Sequence, residues 1–290
     1  MRDLFGQRQR RLFDLVDGRF RPLQEAGTGA ICRVDFAQDV RTTKCVALKR
    51  LHDEHLGNAR ARQTLRNEAA ALSMLNHPGV PRIYHAELES DDPYIVQEFI
   101  QGRMLCNKNL HDTSPMGVLK AVYPLLGILA ELHHRGIVHR DISFRNLFMR
   151  GGEYPVALID YGLSKVPGVP DLAIDSLEPI GTPAFMAPEQ TYRGASVDCR
   201  ADIYSAGVLL YILATARNPY QHLISGGGDA MLMAHRHGEP LPLDLSVPGM
   251  GRLSLIIGRA LEKDPNRRYP CGAEMMDAAG EAIEHGFEPF

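Results

Sequence analysis

The sequence predicts an α+β protein in which a smaller strand-rich part is followed by a larger helical part. Between residues 20 and 99 the chain runs in short apolar segments of strand length, parted by turn residues, with one helical repeat among them. Beyond residue 114 the apolar spacing shifts to long stretches of the 3.6-residue helical period. A third observation locates the chemistry. The stretch Ile137-Val138-His139-Arg140-Asp141-Ile142-Ser143-Phe144-Arg145-Asn146 follows a helical pattern ending at Gly136 and precedes the apolar run Leu147-Phe148-Met149. It reads as helix, loop, strand, with the polar side chains held on a loop between two packed elements.

A chain of 290 residues is long enough for a substantial core, in one large domain or two lobes. A charged content of 23% with a net charge of −3 is that of a soluble globular protein and gives no reason to expect a nucleic-acid partner. Cys32, Cys45, Cys106, Cys199 and Cys271 are odd in number and form no C-x-x-C pair. That argues against a disulfide framework or a structural zinc site, and suits a reducing cytoplasm. The most apolar windows, near 125–132 and 206–214, fall short of the ~20 residues that span a bilayer, so no transmembrane segment is expected. The first residues are basic without the apolar stretch of a signal peptide. Neither an internal repeat nor a low-complexity segment is present.

In chain order, residues 1–18 form a lead-in, with Arg2, Arg8, Arg10 and Arg11 set against Leu4, Phe5, Leu12, Phe13 and Leu15. A solvated helix packed on the strands that follow fits this pattern better than a membrane-surface helix. Strand-like runs begin at Phe20 and flank Gly27-Thr28-Gly29-Ala30-Ile31-Cys32-Arg33-Val34. Missing side chains there would let backbone N–H groups approach an anion, although the same residues could simply close a hairpin. Val46-Ala47-Leu48-Lys49 is an apolar strand ending in a lysine. Residues 59–75 are helical in pattern, with Leu65, Ala69, Leu72 and Leu75 on one face. Glu68 lies on that same face, where a carboxylate is costly unless paired. Asn76-His77-Pro78-Gly79 ends the helix. Two more strand-like runs, at 82–88 and 94–99, lead into Ile100-Gln101-Gly102, a short linker by composition.

Ser114-Pro115 is a good cap and first turn for a helix running through Leu132. After the polar loop, Val156-Ala157-Leu158-Ile159 reads as a buried strand delivering Asp160-Tyr161-Gly162, with Gly162 expected to permit a sharp turn. Residues 164–179 are proline-rich and aperiodic, a mobile loop. Gly181-Thr182-Pro183-Ala184-Phe185-Met186-Ala187-Pro188-Glu189 closes that segment. Ala201-Asp202-Ile203-Tyr204 opens an apolar helix, and Asp264-Pro265-Asn266-Arg267-Arg268 follows further on. Taken alone, Glu189, Asp202 and Arg268 could be exposed surface charge, worth little to stability.

The ordered set Gly27/Gly29, Lys49, Glu68, His139-Arg140-Asp141, Asn146, Asp160, Glu189, Asp202 and Arg268 resembles the eukaryotic-like (Hanks-type) protein kinases over residues 20–281. The serine/threonine type is the better match, and the compact, Arg- and Ala-rich composition looks bacterial. The resemblance implies a bilobal kinase-like fold, with a β-rich N-lobe over residues 19–100 and a larger helical C-lobe over residues 101–290. It implies ATP with Mg²⁺ or Mn²⁺ in the cleft, and protein substrates. Asp141 would be the catalytic base beside Arg140, and Lys49, paired with Glu68, would act on the phosphates. Asn146 and Asp160 would hold the metal. Gly27, Gly29, Val34, Ala47, Lys49, Glu98, Ile100 and Phe148 would surround the nucleotide. Backbone groups of residues 98–100 would meet the adenine edge, and Gln97 would stand behind it. Arg268 would pair with Glu189, and Asp202 would anchor the backbone of the catalytic loop.

The chain departs from the family at three positions. Cys32 stands where the third glycine of the phosphate-covering loop is usual. Ser143 stands where serine/threonine kinases usually carry a lysine, and Arg145 where many tyrosine kinases have arginine. Residues 181–186 resemble the substrate loop of serine/threonine enzymes, which favours that specificity over a tyrosine or dual-specificity kinase. A pseudokinase usually lacks the strand lysine, the catalytic Asp or the metal Asp, and all three are present. A small-molecule phosphotransferase of kinase-like fold generally lacks the A-P-E run and the Asp202 helix. The sequence offers Arg140 no evident partner. Autophosphorylation at Ser176, flanked by Asp175 and Glu178 and with self-association as one route to it, is the expectation that would supply one, although the same residue could be a plain solvated loop serine.

Overall fold

Five strands build the first layer: β1 (Phe20–Thr28), β2 (Cys32–Asp39), β3 (Cys45–Leu51), β4 (Ile83–Glu87) and β5 (Tyr94–Glu98). They form one antiparallel sheet in the order β1-β2-β3-β5-β4. The computed structural model describes residues 15–106, 108, 112–151, 154–173, 176, 179–224 and 228–284. Most of the basic lead-in, and Asp175 and Glu178 beside Ser176, lie outside the described residues.

Side chains alternate across a strand, and in β3 that alternation assigns the two faces. Val46 and Leu48 pack with Phe20, Ala37, Tyr94 and Val96 on one face. Leu51 packs with Ala61, Leu65, Ala69 and Ile95 on the other, against helix α1 (Ala59–Met74). Ala47 and Lys49 share the parity of Leu51 and therefore face α1. The register sets Val34 opposite Lys49 and Ala47 opposite Gln97, so these four residues line one side of the sheet. Helix α1 starts where the side chain of Asn58 accepts hydrogen bonds from the Arg60 and Ala61 N–H groups. Its buried stripe Ala61, Leu65, Glu68, Leu72 follows the helical period.

Residues 99–102 connect this sheet to the helical part. There a small sheet, β6 (Arg103–Met104), β7 (Leu147–Met149) and β8 (Val156–Leu158), has β7 at its centre. The helices are α2 (Pro115–His134), α3 (Arg200–Thr215), α4 (Gly228–His237), α5 (Met250–Ala260) and α6 (Gly272–Glu284). Ser114 caps α2 by accepting from the Gly117 N–H. At 20 residues α2 is longer than the apolar windows suggested, and is long and apolar enough to cross a membrane. Its residues Val118, Leu119, Val122, Leu125, Leu126, Leu129 and Leu132 are instead fully buried in the main core, as are most of those of α3. That core extends to Ala71 and Leu72 of α1 and to Tyr161, so one apolar cluster bridges both parts.

Candidate active site

The loop bearing Asp141 is held from beneath by Asp202, in the first turn of α3 and fully buried. Its carboxylate accepts hydrogen bonds from the backbone N–H of His139 and of Arg140, both at 2.8 Å, and from His133 Nε2 at 3.1 Å. His133 Nδ1 accepts from the Gly272 N–H at 2.9 Å, which leaves the ring proton on Nε2. Arg140 has φ +68°, a left-handed conformation that a non-glycine residue holds only where its surroundings over-determine it. They do so here, because Gln190 Nε2 donates to the Arg140 carbonyl at 2.9 Å on the opposite side. The His139 ring is buried edge-on to Tyr161, and burial lowers its pKa against the opposing pull of Asp202, Asp141 and Asp160.

Held in this way, Asp141 presents its carboxylate to three donors. Oδ1 accepts from the Thr182 N–H at 2.8 Å and the Thr182 hydroxyl at 2.6 Å. Oδ2 accepts from Asn146 Nδ2 at 2.8 Å, and the same nitrogen donates to the Asp141 carbonyl at 2.8 Å. The Asn146 donors are thereby engaged, and the amide oxygen is the atom a ligand would meet.

Lys49 comes to the same cleft from β3. Its Nζ lies 2.5 Å from Glu68 Oε2 and 2.8 Å from Asp160 Oδ1. Burial alone would lower the lysine pKa, but Asp160 and Glu68 outweigh it, raise the pKa and keep the ammonium charged. The Lys49 ammonium likewise holds the half-exposed Asp160 carboxyl below its usual range. The turn at residues 160–162 is not made as expected. Asp160 itself takes the left-handed conformation at φ +66°, and Gly162 has no positive φ. Asp tolerates that region better than most residues.

Neither glycine of the first loop is required by the chain's own packing. A Cβ at Gly27 would meet nothing within 4 Å, one at Gly29 only the Cys32 carbonyl at 3.6 Å, and neither has a positive φ. The loop backbone is tied from outside by His52 Nε2 to the Gly29 carbonyl (2.9 Å) and by His55 Nε2 to the Ala30 carbonyl (3.0 Å). Burial pushes the Cys32 thiol pKa up to about 12, so it is no thiolate near neutral pH. At the proposed adenine edge the Glu98 N–H is committed to the Arg82 carbonyl at 2.8 Å. Ile100 and Phe148 are half-buried.

Arg140 is not short of a partner. Its Nη1 and Nη2 donate to Asp171 Oδ1 and Oδ2 at 2.6 and 2.7 Å. Ser176 Oγ accepts instead from Arg60 Nη2, in the first turn of α1, at 2.7 Å. Gly181 brings the substrate-side loop against the catalytic loop. It has φ +123°, and a Cβ there would stand 2.7 Å from the Arg140 carbonyl, so only glycine fits. Glu189 and Arg268 form a bidentate pair at 2.7 and 2.8 Å around a buried guanidinium, not an exposed surface contact. Ser143 Oγ is buried, and Arg145 is exposed.

Four residues that shape this site have no role legible in the sequence: His133, Asp171, Thr182 and Gln190. Thr182 lies within the substrate-side run 181–189. The other three act across long separations and carry no local pattern.

A β-rich lobe and a helical lobe, with a charged cleft between Lys49, Glu68 and Asp160 and the Asp202-anchored loop, define the protein kinase class. The chain belongs to this family, whose protein kinase domain matches residues 20–278. It is 34% identical over 280 residues to serine/threonine-protein kinase pkn2 of Myxococcus xanthus, covering 92% of this chain and 33% of that protein. It is 32% identical over 273 residues to Pkn1 of the same organism, covering 92% of this chain and 39% of that protein. With PknB of Mycobacterium tuberculosis it shares 30% identity over 260 residues, covering 86% of this chain and 40% of the relative. The chain thus spans between a third and two fifths of the length of these relatives.

Proposed function

We propose that the chain is a protein serine/threonine kinase that moves the γ-phosphoryl group of ATP to hydroxyls of protein substrates, with Asp141 as the base. One observation carries the reading. Asp141 is oriented by Asn146 and Thr182 on a loop that Asp202 anchors, while Lys49 is fixed as a cation by Glu68 and Asp160. Phosphoryl transfer needs little covalent help from a protein and depends on such positioning and charge.

The residues present fit the expected ligands. Bare backbone at Gly27 and Gly29, unexplained by the chain's own packing, suits the close approach of a phosphate. Asp160 and Asn146 offer a carboxylate and an amide oxygen, the hard donors that Mg²⁺ takes together with phosphate oxygens. When bound, that metal supplies positive charge against the phosphates. Asp141 Oδ1 or Oδ2 would accept the proton of the attacking hydroxyl, and the Lys49 ammonium would steady the phosphate charge.

The contact of Thr182 with Asp141 supports serine/threonine specificity, since the substrate-side loop then closes directly on the base. The relatives' names support the same choice. All five cysteines are free, which supports a reducing compartment such as the cytoplasm. The test is purified protein with labelled ATP and Mg²⁺, with and without a generic protein substrate. Label on serine or threonine of the added protein is the expected result. ATP turnover without protein labelling would point to a small-molecule phosphotransferase, and nucleotide binding without turnover to a pseudokinase.

A further inference from the structure

Asp171 lies in the loop between Asp160 and Thr182, 31 positions along the chain from Arg140. Its carboxylate takes both terminal nitrogens of the Arg140 guanidinium in parallel bonds of 2.6 and 2.7 Å, and also accepts from the Ala173 N–H at 2.9 Å. The Arg140 side chain is 2% exposed and that of Asp171 12%. A guanidinium buried to this degree requires an anion, and removing one partner of such a pair leaves an uncompensated charge. The backbone of Arg140 is fixed by Asp202 and Gln190 and leads directly into Asp141. The same loop is tied a second time where Thr182 bonds the Asp141 carboxylate. A phosphoryl group would offer Arg140 the same two ingredients, negative charge and paired acceptor oxygens, but only when attached. The carboxylate is permanent.

We propose that Asp171 supplies from within the chain the anion that Arg140 needs, so that the site is assembled without phosphorylation of residues 164–182. The inference rests on the kinase reading and specifies how that site is regulated. Asp171 is a positioning residue that acts through Arg140 on Asp141. Ser176 has no part in this pairing. Its hydroxyl meets Arg60 of α1, and a phosphate placed there would act on the helix. Self-association for autophosphorylation is then not needed to order the loop.

The experiment compares the full chain before and after phosphatase treatment, with loss of phosphate checked by intact mass, and adds Asp171→Asn and Asp171→Glu. Initial rates with Mg-ATP and a generic protein substrate are read beside amide hydrogen exchange over residues 164–182. Treated and untreated wild type should agree within about twofold, whereas Asp171→Asn should lower kcat by about tenfold or more with KM for ATP changed less than about threefold. Exchange over 164–182 should be slow in the phosphate-free wild type and fast in Asp171→Asn, and Asp171→Glu should recover much of both. A treated wild type that loses about tenfold of its rate and regains it on rephosphorylation would overturn the proposal. So would a phosphate-free Asp171→Asn as fast as wild type. Should Asp171→Asn fail to fold, the phosphatase comparison on wild type decides alone. A wild type that transfers nothing, yet keeps 164–182 protected until Asp171 is changed, would count against the kinase reading while supporting the proposal.

Discussion

At the residue scale the site is a problem of holding charges where water would otherwise screen them. Lys49 and Glu68 are both buried, and such pairs are typically worth little to stability compared with apolar side chains of similar volume. Their value would lie in the ammonium fixed beside Asp160. Lys49→Met should therefore lower kcat/KM by about 100-fold or more and also destabilise the fold, because Glu68 is left without its cation. Adding Glu68→Met should restore urea stability without restoring activity, and a double variant that regained both would reduce the pair to a structural role. The pair was legible in the sequence because a carboxylate on an inward helix face demands a partner. Asp171 was not. An ion pair made by an aperiodic loop across 31 positions leaves no periodicity to read. The turn at 160–162 misled for a related reason. A glycine next to a bend invites the positive φ, yet the Lys49 contact and the short polar side chain let Asp160 take it.

At the element scale, strands and helices deliver side chains to the cleft through their periods, and buried ion pairs lock the connecting loops to them. The β3 alternation turns Lys49 toward α1, and the α1 stripe brings Glu68 to meet it. These were legible because periods of 2 and 3.6 are properties of the sequence itself. The loops were not, since their positions depend on anchors such as Asp202 and Arg268 in other elements. Arg268 bonds Glu189 and the carbonyls of Arg200, Glu262 and Lys263, joining the end of the substrate-side loop to α3 and to the turn after α5. Arg268→Met breaks a buried bidentate pair and should cost about 3–5 kcal/mol in urea unfolding. A loss below about 1 kcal/mol would return the pair to the class of surface contacts.

At the scale of the whole molecule, the main core runs from α1 through Tyr161 to the C-terminal helices, so lobe and lobe are stabilised together. Within the helical part, His235 hydrogen-bonds Tyr204 and packs edge-on against Tyr220, with Lys263 Nζ bonded to Tyr220 and to the His235 carbonyl. Burial, with the Lys263 charge adding to it, pushes the His235 pKa down to about 4. Between an unfolded pKa near 6.5 and this value the unfolded chain binds a proton that the folded one excludes. Stability should therefore fall as pH falls across that window and level off below it, by on the order of 3 kcal/mol for this group. Urea midpoints at pH 7 and pH 4 should differ less in His235→Gln than in wild type, and equal differences would contradict the assignment. The broad architecture was legible from composition and periodicity together with the ordered motifs. This buried Tyr-His-Lys cluster was not, since its members are spread from α3 to the turn beyond α5.

Asp141 is the group on which transfer to a hydroxyl depends. Asp141→Asn keeps the shape and an acceptor oxygen for Thr182, at the cost of the one bond from Asn146 Nδ2, while removing the proton acceptor. The decisive measurement is the initial rate of label transfer from ATP to a generic protein substrate by this variant, beside nucleotide binding and thermal unfolding of the same preparation. The expected result is a rate lower by about 1000-fold or more with binding and unfolding temperature close to wild type. A variant that transfers at the wild-type rate, with contaminating kinase excluded, would contradict the claim that this loop is where the hydroxyl loses its proton.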